Sequence, residues 1–184
     1  MSEYKLRELL ITNPKGRPHI NIIPRGIVVH WTANQGIGAN AQANRNYFQN
    51  CTRNASAHYC VDNAEVVRCV PEREMAYHVG AKIYKTKALG SYPNNCTIGI
   101  EMCVNSDGNF WGMWHNTVYL VADLMIRYKL GIADLYRHYD VTGKTCPAFF
   151  VSEVYAKQYG FTSAAAAWSK FKDDVARVKK VLEG

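Results

Sequence analysis

His138 and Cys146 stand eight positions apart in the stretch Arg137-His138-Tyr139-Asp140-Val141-Thr142-Gly143-Lys144-Thr145-Cys146-Pro147. Imidazole nitrogen and thiolate sulfur are borderline-soft donors that suit zinc, and Gly143 and Pro147 allow a short loop to fold back until the two converge. A metal site needs a third donor. The segment Gly26-Ile27-Val28-Val29-His30-Trp31-Thr32-Ala33 offers His30 at the end of a β-branched run, which reads as a buried strand rigid enough to hold a ligand. Three protein ligands leave one tetrahedral position of zinc for water, as in catalytic rather than structural sites. Taken singly, each of the three is better read as a buried core residue; it is their combination that favours a metal site.

A carboxylate adds to this picture. Glu101 interrupts the apolar run Ile98-Gly99-Ile100-Glu101-Met102-Cys103. An unpaired buried carboxylate carries a heavy desolvation cost, so it needs a partner or a chemical task. Taking a proton from zinc-activated water and passing it to a leaving amine is such a task. The competing reading is a solvent-facing Glu on an edge strand. Lys144, two residues before Cys146, shares the ligand loop and could place its ammonium against an oxyanion, or simply point into water.

The runs IVVHWTAN, SAHYCVD, MAYHVG, TIGIEMC and RHYDVTGKTCP occur in this order. Together they resemble the zinc-dependent N-acetylmuramoyl-L-alanine amidases of the type-2 amidase and peptidoglycan-recognition-protein family, in particular the catalytic domains of phage endolysins, over about residues 20–150. The resemblance implies one Zn2+ per chain on His30, His138 and Cys146, with Glu101 and Lys144 catalytic. It implies hydrolysis of the amide joining N-acetylmuramic acid to L-alanine in bacterial peptidoglycan. His78, in Ala76-Tyr77-His78-Val79-Gly80, matches a position lining the substrate groove, and His58 is expected beside it, packing or hydrogen-bonding near the site. Some relatives carry a catalytic tyrosine immediately before the histidine matching His58. Here that residue is Ala57, which shifts the acid–base work to Glu101.

These residues require elements to position them. At 184 residues, 48% hydrophobic and 20% charged, the chain suits one folded domain. The patterns predict a helix over 3–11, a strand over 27–31, a helix over 40–51 and a hairpin of 57–62 with 65–70. A long functional loop follows over 71–95, then a strand over 97–104 and a helix over 113–130 capped by Gly131. Helices over 148–158 and over 164–182, the last capped by Ser163, complete the chain. The expected fold class is α/β: one domain, 1–184, with a small central mixed β-sheet flanked by helices and a core over about 20–160.

The 22 Lys and Arg against 15 Asp and Glu give a net charge of +7. That favours an anionic partner such as a polyanionic wall, or it only keeps the domain soluble. No basic cluster of the kind that tracks phosphates occurs, so nucleic acid is not expected as a partner. No apolar run approaches the roughly 18 residues of a spanning helix, so stable membrane insertion is not expected either. The first residues lack the pattern of a secretory signal. The expectation is a monomer made in the bacterial cytoplasm and acting on the wall after release. Cys51, Cys60, Cys69, Cys96 and Cys103 form no CxxC pair and read as buried free thiols. Trp31, Trp111 and Trp114 could stack on sugars but more often serve a core. His19 and His115 read as surface residues. A non-catalytic peptidoglycan-binding module is the rival function; it is disfavoured because all three ligand positions are filled. Phage, prophage and host autolysin origins stay open, as does whether the chain is a fragment.

Overall fold

The computed structural model describes residues 4–184. Six strands form one sheet in the order β1 (Leu6–Glu8), β4 (Val66–Arg68), β3 (Tyr59–Val61), β5 (Thr97–Met102), β2 (Gly26–Trp31) and β6 (Leu135–Arg137). Every neighbouring pair is parallel except the β3–β4 hairpin, so the sheet is mixed, as expected. Both predicted central strands are present, and they lie side by side.

Alternation along those strands divides the molecule, because successive side chains in a strand point to opposite faces. Ile27, Val29, Ile98, Ile100 and Met102 face one way and join the main core. Over them pack α2 (Phe110–Tyr128) and α5 (Ala164–Glu183). Asn109 caps α2 by accepting from Gly112 N, and Ser163 caps α5 by accepting from Ala166 N. The two helices are locked by rings. Trp114 of α2 meets Phe171 of α5 edge-on at 5.1 Å, and Phe150 lies 5.3 Å from the same Phe171. The opposite face carries α1 (Ala41–Asn50), the 71–95 segment and the short helix α3 (His138–Thr142). Asp62 ties α1 to the hairpin: Oδ1 accepts from Ala64 N and Glu65 N to close the turn, while Oδ2 accepts from Ala41 N at the helix start.

Several local expectations are corrected. The predicted helix over 3–11 is an extended edge segment; its first residue lies outside the described residues. Its backbone continues the ladder beside β4, with Leu9 N and Ile11 N donating to Arg68 O and Cys69 O. A nine-residue helix is marginal alone, and pairing with a strand 60 residues away satisfies the same groups while burying Ile11 fully. The helix read as 113–130 begins at Phe110, and Lys129, not Gly131, adopts the left-handed terminating conformation. The predicted helix over 148–158 is a single 3₁₀ turn at Ala148–Phe150 followed by α4 (Glu153–Gln158). Strand β6 was not expected: three residues carry no periodicity, and only pairing with β2 makes them a strand. All six cysteines are free and buried. Among the described residues no helix is long and apolar enough to cross a membrane.

A buried ion pair joins the sheet to α2. Glu72 is 7% exposed and accepts from Arg127 through both oxygens, from Tyr128 at 2.7 Å and from Tyr59. Burial pushes its carboxyl up, but the hydrogen bonds from Arg127, Tyr128 and Tyr59 outweigh burial and hold it down at about 2. Its folded pKa lies below the unfolded value of 4.5, so its stabilisation is present above about pH 4.5 and lost as pH falls towards 2. With screening at the half-exposed Arg127, the contribution is on the order of 2 kcal/mol. Urea unfolding of Glu72→Gln should show that deficit at pH 7 and a closing gap as pH drops below 4.5. A gap that stays constant with pH would refute this account.

Candidate active site and metal centre

The candidate side chains come from the sheet face opposite α2 and α5. His30 on β2 and Glu101 on β5 are direct register partners, so one parallel pairing sets both on the same face. His138 opens α3 directly after β6, which itself pairs with β2. Strand β6 therefore delivers His138 beside His30.

The expected ligand loop is a one-turn helix with a reversal. Asp140 accepts from Arg137 N at 2.8 Å and pairs with the Arg137 guanidinium at 2.6 Å, which starts the turn. Gly143 ends it at φ +87°, a conformation that favours glycine. A Cβ there would also meet Lys85 Nζ at 2.5 Å, so the position has no room for a side chain without movement. The chain then doubles back until Tyr139 N donates to Cys146 O at 2.9 Å. The 71–95 segment braces this helix through Lys85 N to Val141 O and Thr86 Oγ1 to Asp140 O, both at 2.8 Å.

His30, His138 and Cys146, all three buried, bring ligand atoms within 4.8 Å of one another. The Nδ1 atoms of His30 and His138 are 3.0 Å apart, and Cys146 Sγ is 3.9 Å from His30 Nδ1. Tetrahedral zinc with ordinary bond lengths separates two nitrogens by about 3.3 Å, and a nitrogen from a sulfur by about 3.6 Å. The donor set fits such an ion within small side-chain adjustments. Protonation agrees for the two rings. Burial pushes His30 well below its ordinary value and His138 down to about 4, with Lys144 acting in the same direction, so both imidazoles are neutral donors near pH 7. Burial pushes the Cys146 thiol up to about 12, a rise that a bound cation would oppose.

Glu101 Oε2 is enclosed and has no hydrogen-bond partner. Burial pushes this carboxyl up to about 8, with Lys144 pulling the other way. An orphaned carboxylate oxygen beside three converging donors is what a polar ligand in the site would satisfy. Above it opens a cavity of about 430 Å³, lined by Glu101, Cys146 and His78, by Trp31, and by Asn44, Tyr47 and Arg53 from α1 and its exit. Lys144 is exposed on the same lining.

Of the two remaining histidines, His58 packs and hydrogen-bonds near the site and His78 lines the cavity, as expected, but neither offers a free ring nitrogen to a substrate. His58 has no exposed surface; its Nδ1 accepts from Gly99 N at 2.9 Å and its Nε2 donates to Glu74 O at 2.8 Å. It cannot reach a substrate and instead packs against the ring of His78. His78 borders the cavity, but its Nδ1 is 3.0 Å from His30 Nε2, and its Nε2 faces Thr97 Oγ1 and the Thr97 carbonyl. Trp114 is a core residue at 4% exposure. Trp31 meets Phe149 and Tyr155 edge-on while touching the groove. His19 and His115 are exposed, as expected. Asn44, Tyr47 and Arg53 line the cavity without a distinctive motif to single them out in the sequence.

The family model described as N-acetylmuramoyl-L-alanine amidase matches residues 20–149. A probable N-acetylmuramoyl-L-alanine amidase of Bacillus licheniformis is 40% identical over 149 residues, covering 77% of this chain and 41% of the relative. The chain thus spans about two fifths of that relative's length. Among solved structures, the catalytic domain of XlyA superposes with a TM-score of 0.76 at 28% identity, covering 93% of this chain and 99% of that domain. A mutant endolysin from Bacillus subtilis does so equally, with a TM-score of 0.76, 28% identity and coverage of 94% and 99%. The matched span holds all three converging donor residues and Glu101, and on this match the chain belongs to the N-acetylmuramoyl-L-alanine amidase family.

Proposed function

We propose that the chain is a zinc-dependent amidohydrolase that cleaves the bond between N-acetylmuramic acid and L-alanine in bacterial peptidoglycan. The observation that carries the reading is the convergence of His30 Nδ1, His138 Nδ1 and Cys146 Sγ beside a partnerless carboxylate oxygen at the floor of an open groove. His30, His138 and Cys146 would hold the zinc, which when bound would supply Lewis acidity towards an amide carbonyl and a water. Glu101 accepts the water's proton and returns it to the departing amine; a carboxyl raised towards neutrality suits both transfers. Lys144 places its ammonium against the charge that develops on the carbonyl oxygen. Trp31, Tyr47 and Arg53 bind along the groove, and their rings and cation suit a glycan with an acidic peptide stem. The net charge of +7 supports retention on a polyanionic wall. The endolysin among the structural neighbours supports release onto the wall during phage or prophage lysis.

Purified Gram-positive peptidoglycan should yield new N-terminal alanine without new reducing ends. A chelator should abolish the product and added zinc should restore it. Wall binding with neither product would favour a recognition module instead. Glu101→Gln should keep bound zinc, measured by metal analysis, and lose about 10²- to 10⁴-fold in kcat; an active variant would overturn the assigned role. Lys144→Met should lower kcat by roughly 10²-fold with little change in KM. A change confined to KM would instead make Lys144 a binding residue.

A further inference from the structure

We propose that His78 and Thr97 preset His30 as a metal ligand, holding its ring in the one tautomer that turns a bare Nδ1 towards His138 and Cys146. The proposal rests on the metal reading of that triad. It gives His78 a positioning role in place of the substrate contact expected from its place in the groove.

The protons can be assigned from the far end of the chain of contacts. Thr97 Oγ1 donates its only proton to Pro93 O at 2.7 Å. Towards His78 Nε2, 3.1 Å away, that hydroxyl can therefore only accept. The Thr97 carbonyl, 3.3 Å from the same nitrogen, is likewise an acceptor. His78 must then carry its proton on Nε2, which leaves Nδ1 bare. His30 Nε2 lies 3.0 Å from that bare nitrogen and must be the donor. The proton of His30 is thereby placed, and its Nδ1 faces His138 Nδ1 at 3.0 Å and Cys146 Sγ at 3.9 Å with a free lone pair. The protein alone selects the tautomer, as expected of the groups that orient metal-binding imidazoles.

The ring of His78 has a built seat. It lies on Gly99, where any Cβ would come within 2.4 Å of His78 Cγ. Gly99 is two residues before Glu101 on β5 and pairs with Val28, two residues before His30 on β2. Both strands thus place the seat next to the site on the same face. From above, Asn94 pins the segment: Oδ1 accepts from His78 N and Val79 N, and Nδ2 donates to Val79 O. The rings of His58 and His30 close edge-on at 5.8 Å and 5.2 Å from that of His78. With both nitrogens engaged and the ring confined, His78 acts through His30.

Nitrogen-15 NMR of zinc-free wild-type protein tests this directly. His30 and His78 should both be Nε2–H tautomers before zinc is added, and both should remain so afterwards. His30 in the Nδ1–H form without zinc would overturn the proposal. A second arm reads metal affinity by competition with a chromophoric chelator, and ligand geometry by the absorption bands of the cobalt-substituted protein. His78→Leu should weaken zinc binding by about 10- to 100-fold and shift the cobalt bands. His78→Asn, which keeps an acceptor at the Nδ1 position, should recover most of that affinity. A folded His78→Leu protein with unchanged affinity and spectrum refutes the role; if it does not fold, His78→Asn and the wild-type tautomers decide. Wild-type protein that binds no zinc would defeat the metal reading itself, and the zinc-free tautomers still report on the relay.

Discussion

The site depends on the parallel register of β2 against β5. Because side chains alternate along each strand, the residues that send Ile27, Val29, Ile98 and Ile100 into the core must send Val28, His30, Gly99 and Glu101 to the other face. Register then pairs His30 with Glu101 and Val28 with Gly99. A slip of one residue would bury the ligand and the carboxylate among the core rings and expose the core aliphatics. The apolar demand of α2 and α5 on one face is therefore the force that holds the polar constellation on the other.

That constellation is costly, because polar side chains enclosed away from water must find partners. The histidines show how the cost is met. His58 is satisfied by Gly99 N and Glu74 O, and His78 by His30 and Thr97. The chain of partners reaches His30 and stops at its Nδ1, which faces His138 and Cys146. Glu101 Oε2 and His138 Nε2 stay without hydrogen-bond partners. Among the described residues Arg7 Nε, Thr32 Oγ1 and Arg68 Nε are partnerless as well, but Glu101 Oε2 is the one carboxylate oxygen of the set, and a polar ligand beside the triad would satisfy it. Glu72 makes the contrast: another enclosed carboxylate, but fully engaged by Arg127, Tyr128 and Tyr59, and so held low where Glu101 is raised. One is engaged in cohesion, and the other is left free for the chemistry proposed for it.

The sequence by itself determined a good deal. The β-branched run before His30, the apolar run around Glu101 and the amphipathic stretch after Ser163 each encode their element locally, since periodicity and capping act within a few residues. The convergence of His30, His138 and Cys146, and the placing of Glu101 and Lys144 on one cavity with Cys146, could be anticipated because their residue types suit one chemistry and their motifs keep a fixed order. Other features were decided only by tertiary structure. The segment around Leu6–Glu8 and the three residues Leu135–Arg137 become strands through partners far along the chain, and no local pattern announces that pairing. Thr97 reads as one more β-branched strand residue until His78 is folded over Gly99 beside it. His58 and His78 look alike as histidines in loops near a site; burial and hydrogen-bond partners, which are properties of packing, separate the one that braces the wall from the one that reaches His30. Residue type determined which chemistry was possible here, and long-range contact decided which atom of each ring faces the site.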